Sequence, residues 1–440
     1  MRLVWRLLRE QRDFRFVLGA GLVSLTGDWI LRVGLAYYVY ALTGSTLISA
    51  ALLLASFLPQ VLLGSLAGVF VDRWDRKRTM ITTNLLLGAG LLPLLLVTSA
   101  GQVWVITVVM AWEGCVQQFF LPAEQSLLPR LIPDERLLTA NALNGQNRDL
   151  SRLIGSALGG VVTAVGGIAA LALVDVASFV LSAGLITLVR TAGRVAISVA
   201  KEGVAQSLGQ RVTALRDEWF DGLRLCVRGR ILRALLLFVF VTSTGEGIMG
   251  TLFAPFVRQV LHGSSTAYGV IVSVQAIGGI VGGLVAASLG SKASAVHLFG
   301  WGSVCFGAID LAMFLYPLWW ATAWPAGVCM VVVGVPGALT VAGLMTLFQR
   351  NTADPHRGRV FGAIGGVEGV AVVVGTVSAG LLGQAVGIIP VLAFQGGGYV
   401  VAGLAMLVLL RAGSGELDEP ARSLSSPRSA GDIDVPTANR

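Results

Sequence analysis

Gly68-Val69-Phe70-Val71-Asp72-Arg73-Trp74-Asp75-Arg76-Lys77-Arg78 takes the chain from apolar to charged within eleven residues. On either side the sequence is almost free of charge: residues 46–71 precede it and 79–99 follow it. A bilayer-spanning helix needs about 20 mainly apolar residues. The stretch therefore reads as a short polar turn between two membrane spans, and the same reading extends outward in both directions. Further spans are expected at 16–42, 103–127, 139–165, 168–190, 231–256, 266–289, 294–316, 319–348, 358–384 and 388–411. That makes twelve spans of an all-α integral membrane protein, most of them joined by turns as short as Thr43-Gly44-Ser45. Two polar stretches stand apart, a linker at 191–230 and a tail at 412–440 rich in Ser, Pro, Asp, Glu and Arg. The tail has the composition of a disordered segment. The organisation expected is a bundle at 1–190, the linker, a second bundle at 231–411, and the tail.

Composition agrees. Of 440 residues, 55% are hydrophobic and only 13% charged, with mean hydropathy +0.78; a soluble domain carries about 25% charged residues. The net charge of +8 would suit nucleic acid, but its placement does not. Thirty of the 32 Lys and Arg fall at the N-terminus, in the tail, or in alternate loops that share one side. Arg258 falls in a loop on the other side, and Arg32 is expected to be the one basic residue inside a span. Positively charged loops stay on the cytoplasmic side of a membrane. Both termini and the linker are therefore expected in the cytoplasm, and no nucleic-acid partner is expected. No cleavable leader is apparent after the basic N-terminus. Cys115, Cys226, Cys305 and Cys329 form no Cys-x-x-Cys pair, and His262, His297 and His356 are scattered, so neither a disulfide framework nor a metal site is expected. There is no phosphate-binding loop of the Walker type, and no cofactor is expected. The scattered histidines and the lack of a soluble domain argue against an enzyme.

The two halves carry traces of a repeat. Thr26-Gly27-Asp28 returns as Thr244-Gly245-Glu246, and Gly155-Ser156 with Gly159-Gly160 returns as Gly375-Thr376 with Ala379-Gly380. Leu127, Arg130 and Asp134 match Leu347, Arg350 and Asp354 at the same offset of 220 residues. Such weak internal symmetry marks many transporters and points to six spans plus six.

Charged residues inside spans are costly, about 2.5–3.5 kcal/mol each on insertion scales, and so need a purpose. Asp28 and Arg32 lie one helical turn apart on one face of the first span, where they can pair. Glu113 lies near the middle of the fourth span and Glu246 near the middle of the seventh. Trp29 and Trp112 neighbour two of these acids and are candidates for stacking on an aromatic cargo. Asp175 and Asp310 read as packing residues of outer spans, and Glu368 takes no assignment. Trp104, Trp319, Trp320 and Trp324 read as interfacial anchors.

The turn quoted first resembles motif A of the major facilitator superfamily, a Gly-x-x-x-Asp-Arg followed by a basic cluster. The resemblance covers nearly the whole chain to about residue 411. It implies that Gly68, Asp72, Arg73, Arg76, Lys77 and Arg78 form a cytoplasmic gate, with Asp72 pairing across helix ends. Asp75 departs from the pattern, which usually has Gly there, and the second-half counterpart, Gly283 to Lys292, has lost the Asp and Arg. Gly155, Ser156, Gly159 and Gly160 resemble the antiporter motif C with Ser in place of Pro. Within the superfamily the likeness is to the twelve-span macrolide-efflux and enterobactin-exporter branch, through Gly27-Asp28-Trp29-Ile30-Leu31-Arg32, Tyr40 to Ser45, Asp72 to Arg76, and Gly358 to Gly362. The family's architecture implies that spans 1, 4, 7 and 10 line a central cavity. That makes Asp28, Arg32, Glu113 and Glu246 the candidates for proton or substrate coupling, with a fixed structural ion pair as the alternative for Asp28 and Arg32. The resemblance further implies a monomeric exporter of an amphipathic small molecule such as a drug, antibiotic or siderophore. It would work by proton antiport in the inner (plasma) membrane, with the proton gradient as its energy source. An importer or lipid facilitator of the same fold is the alternative; a membrane enzyme or a sensor that no longer transports is a remote one.

Overall fold

The computed structural model describes residues 7, 9–71, 74–191, 208–289, 294–352 and 356–411. Among them there is no strand. The helices are α1 (Arg12–Thr43), α2 (Thr46–Val71), α3 (Arg76–Leu91) and α4 (Val103–Leu131), followed by one stretch, Leu137–Thr187. That stretch is broken at Gly167 into α5 (137–166) and α6 (168–187). Then come α7 (Leu208–Arg228), α8 (Arg230–Pro255), α9 (Ser265–Leu289), α10 (Ala295–Leu315), α11 (Trp324–Arg350), α12 (Arg357–Ala385) and α13 (Ile388–Arg411). Eleven described stretches are long and apolar enough to cross a membrane, and the one broken at Gly167 holds two spans. α1 to α6 are the first six spans and α8 to α13 the second six. Asp72, Arg73, Lys292, Asp354, the residues 192–207 of the linker and the tail from 412 lie outside the described residues.

Large apolar side chains cover the outer surface, as a protein solvated by lipid requires: Val165, Phe394 and Val408 are all strongly exposed. Trp104, Trp319, Trp320 and Trp324 are exposed too. Those four lie at helix ends on the face away from the start of α1, here called the distal face; the opposite one is the terminal face. Turn chemistry sets the reversals. Gly44 ends α1 in the left-handed conformation (φ 62°), with its N–H donating to the Tyr40 carbonyl. Asp75 begins α3, its Oδ1 accepting from the Arg78 N–H at 2.9 Å. The residue that departs from motif A is thus an N-cap. Asp75→Ala is expected to lower stability by about 0.5–2 kcal/mol, visible as a lower thermal midpoint of tryptophan fluorescence in detergent. An unchanged midpoint would rule out the capping role.

Small residues let the helices approach backbone to backbone, and the repeat read in the sequence is realised in those crossings. A Cβ on Gly155 of α5 would stand 2.7 Å from the Thr26 carbonyl oxygen of α1. One on Gly375 of α12 would stand 2.0 Å from that of Thr244 in α8. Gly27 backs onto Asp175 and Ser178 of α6, just as Gly245 backs onto Gln395 and Tyr399 of α13.

The linker is not structureless. Its second part is the amphipathic helix α7, which rides on the second half. Gly222 lies against the Arg359 backbone, the Trp219 indole against Gly366, and Asp221 pairs with Arg359 at 4.0 Å. Cys226 is fully buried there, and burial pushes its thiol up.

Candidate functional site

The first half gathers its buried charges around α1. Asp28 accepts from the Gln117 side-chain amide at 3.2 Å. Arg32 reaches Glu113 of α4 at 3.9 Å, an ion pair too long for a hydrogen bond. The pairing expected within α1, Asp28 with Arg32, is replaced by this cross-helix pair, because Glu113 projects from α4 towards the arginine. Asp175 is fully buried behind Gly27, held by Ser178, whose hydroxyl donates to its Oδ1 at 2.9 Å. It therefore packs against α1, one residue from Asp28, and not on the outer surface of the bundle. Three buried carboxyl groups thus lie against α1, with Arg32, itself half-exposed, as the guanidinium paired to one of them. Asp28 Oδ1, both Glu113 oxygens and Asp175 Oδ2 have no hydrogen-bond donor among the described residues.

A cavity of about 190 Å3 lies beside this cluster, and a second of the same size adjoins it at Gly250. The first is lined from the first half by Arg32, Gln60, Met110, Gln117 and Gln118, and closed by Gly250 and Thr251 of α8. The second contains Glu246, Asp310 and Gln395 from the second half and Arg152 from the first, with Phe253, Tyr268 and Phe306 as its apolar wall. Gly250 borders both. The Tyr399 hydroxyl donates to Glu246 at 2.9 Å, and Asp310 accepts from Gln395 at 3.0 Å. Asp310, expected as an outer-helix packing residue, faces the second cavity.

Arg152 overturns the expected charge placement. The sequence assigns it to the basic side. It lies instead inside α5, with its guanidinium 5.4 Å from the centre of the Trp29 ring and hydrogen-bonded to Gln275 of α9. The signal in the sequence is its position, four residues beyond Arg148 and well inside the expected span 139–165. Trp29 is thus next to the second cavity through Arg152. Trp112 is not in either cavity: its indole donates to the Leu86 carbonyl at 3.2 Å and covers Gly90 of α3. Glu368 is exposed on α12 and lines neither cavity.

The halves meet at the distal face through a pair of equivalent bonds. Ser265, starting α9, donates its hydroxyl to the Gly160 carbonyl of α5 at 3.0 Å. Thr46, starting α2, donates to the Gly380 carbonyl of α12 at 2.8 Å. A Cβ on Gly160 would stand 2.3 Å from the Ser265 carbonyl oxygen, and one on Gly269 would stand 2.5 Å from that of Ser156. Of the motif C-like residues, Gly155 and Gly159 face α1, while Ser156 and Gly160 face the other half. A π-helical turn, Phe256–Val260, completes the seal. Arg258 donates to the Tyr37 hydroxyl at 3.1 Å, Tyr37 donates to the Gly263 carbonyl at 2.8 Å, and Tyr40 bonds to Gln259.

At the terminal face, the motif A-like residues that are described hold the first half together. Lys77 donates to the Thr187 and Val189 carbonyls at 2.9 and 2.6 Å, capping the end of α6. Trp74 stacks on Phe119 of α4, with ring centres 5.8 Å apart. Gly68 lies within α2, Arg76 in the first turn of α3, and Arg78 is exposed. The gate residues Asp72 and Arg73 are outside the described residues.

A twelve-span helical bundle of two related halves, with cavities and buried charges between them, defines a transporter of the major facilitator type, not an enzyme. The chain belongs to the transmembrane secretion effector family, whose model matches residues 5–434. It is 24% identical to macrolide efflux protein A of Streptococcus pyogenes over 383 residues, 83% of this chain and 88% of that one. It is 21% identical to the staphyloferrin A transporter of Staphylococcus aureus over 355 residues, covering 80% and 84%. Among solved structures it resembles the nucleoside transporter NupG, at TM-score 0.73 and 13% identity over 90% of this chain and 99% of that one. It also resembles a bacterial homologue of the iron transporter ferroportin in an inward-facing state, at TM-score 0.70 and 15% identity, covering 90% and 98%.

Proposed function

We propose that this chain exports an amphipathic small molecule across a bacterial plasma membrane in exchange for protons. The observation that carries the reading is the set of buried acids against α1, Asp28, Glu113 and Asp175. Of these, Glu113 pairs with Arg32 and Asp28 bonds Gln117, and both Arg32 and Gln117 line a cavity between the halves. One guanidinium leaves three carboxyl groups two positive charges short, and protons supply what the arginine does not. Loading and release then follow access: the cluster takes protons when the cavity faces one side and loses them when it faces the other. Rocking of the halves about the cavities exchanges the two states. Basic residues crowd the terminal face and Arg258 stands on the distal one, which supports cytoplasmic termini. The distal seal then corresponds to a state open towards the cytoplasm, as loading an exporter requires. Efflux and siderophore transport by the relatives support the cargo class, and the working unit is one chain.

The test uses inside-out vesicles with a lumen acidified by respiration and a pH-quenched dye. Macrolides, tetracyclines, siderophores and lipophilic dyes are added one at a time. At least one is expected to dissipate part of the gradient with the wild type and not with Asp28→Asn. Movement of labelled compound without any proton movement would remove the antiport reading.

A further inference from the structure

Arg152 is charged, lies in the membrane region, and has no carboxylate partner among the described residues. Arg32 has Glu113, and Arg258 has the Tyr37 hydroxyl on the distal face. Arg152 has the neutral Gln275, the Trp29 ring, and an Nε with no acceptor. Its counterpart at the offset of the repeat is Val372, so the charge is not part of the shared scaffold. Glu246 and Asp310 share its cavity, but each is engaged elsewhere, by Tyr399 and Gln395, and neither forms an ion pair with Arg152. A guanidinium without a direct ion pair in the membrane region is a costly arrangement unless a ligand completes it.

We propose that Arg152 binds an anionic group of the cargo, so that the transported molecule is an amphiphile bearing a carboxylate or sulfonate. This rests on the reading of the chain as a transporter. The guanidinium fork matches such groups, and a charge-assisted pair strengthens where water is excluded. Phe253, Tyr268 and Phe306 supply the surface for the apolar body. Glu246 and Asp310, in the same cavity, exclude a second anionic group and accept from a hydroxyl or ammonium of the cargo. Gln275 holds Arg152 in place while the site is empty and ties the anion to both halves, since α5 and α9 belong to different ones.

Binding to the full chain in lipid nanodiscs tests this. The probes are taurocholate, fluorescein and a labelled fatty acid as anions, and tetraphenylphosphonium as a lipophilic cation. At least one anion is expected to bind saturably to the wild type. Its affinity should fall at least tenfold in Arg152→Gln and only a few-fold in Arg152→Lys, while the cation is bound no more weakly by either. The thermal midpoint of Arg152→Gln should match that of the wild type, which guards against a folding defect at Arg152. Absence of saturable binding by all three anions, or equal affinity in the wild type and Arg152→Gln, overturns the proposal. Vesicle transport separates the two readings. Export of the cation without anion binding removes the anionic cargo and leaves the transporter. Saturable, Arg152-dependent anion binding without movement of any probe leaves the site and removes transport.

Discussion

Valine at position 160 is expected to bar the distal seal and to reduce transport by on the order of 100-fold, with little loss of folded protein. The ideal Cβ there stands 2.3 Å from the Ser265 carbonyl oxygen and 2.9 Å from the Thr266 Cα. Both neighbours are backbone, so no side chain can swing aside. Overpacking of this kind costs about 1–3 kcal/mol, and at the upper end that shifts a two-state population by about 100-fold. The penalty falls on the sealed state alone, because parting of α5 from α9 relieves it. Gly184 has nothing within 4 Å of its Cβ position, so Gly184→Ala is the matched control. Spin labels placed at the distal ends of α1 and α8 would report the distance between the halves. It should lengthen in Gly160→Val and stay as wild type in the control. An unchanged distance together with normal transport would show that the crossing opens and closes without needing this contact.

Loss of the Arg32 side chain should abolish proton-coupled transport and lower stability at the same time. Glu113 is buried, and the 3.9 Å pair with Arg32 is its ion pair among the described residues. Removing one partner of a fully buried pair costs about 3–5 kcal/mol. Arg32 is half-exposed to the cavity, so screening reduces this to about 1–2 kcal/mol. The double variant Arg32→Ala with Glu113→Gln removes the stranded acid. It is expected to recover the thermal midpoint but not transport, a non-additivity that reports direct coupling. If Arg32→Ala alone moves cargo and protons as the wild type does, the cluster is structural and the coupling role falls.

The spans are readable because apolar length is a one-dimensional property. The expected boundary between 165 and 168 falls on the break at Gly167. The repeat is readable for a similar reason: Gly155 and Gly375 occupy crossings so close that neither tolerates a side chain. Rotation about the helix axis is harder to read. Trp112 stands one position before Glu113, yet an apolar residue in an apolar helix gives no sign of which face it takes. It turns to Gly90 of α3. Asp175 and Asp310 read as outer residues because a span's place in the bundle says little about which way one side chain points. Both reach inward, one through the gap that Gly27 leaves and the other towards Gln395. Arg152 reads with the basic face when depth is judged from the nearest loop. The amphipathic pattern of α7 lies inside a stretch that stands out only for its polarity.

The break at Gly167 also bears on how the chain enters the membrane. α5 follows α1 upward, Gly155 meeting Thr26 and Gly159 meeting Ile30, while α6 returns, Leu171 beside Gly34 and Ser178 beside Gly27. The reversal is made at one glycine with φ 59° and ψ −149°, a conformation essentially closed to other residues. No polar connection separates the two spans, so nothing between them is there to be drawn through the bilayer alone. They are expected to leave the insertion machinery as a single helical hairpin, already paired when α1 receives them. A β-branched residue at 167 would then be felt during biogenesis, as a failure to assemble, before any cargo is ever met.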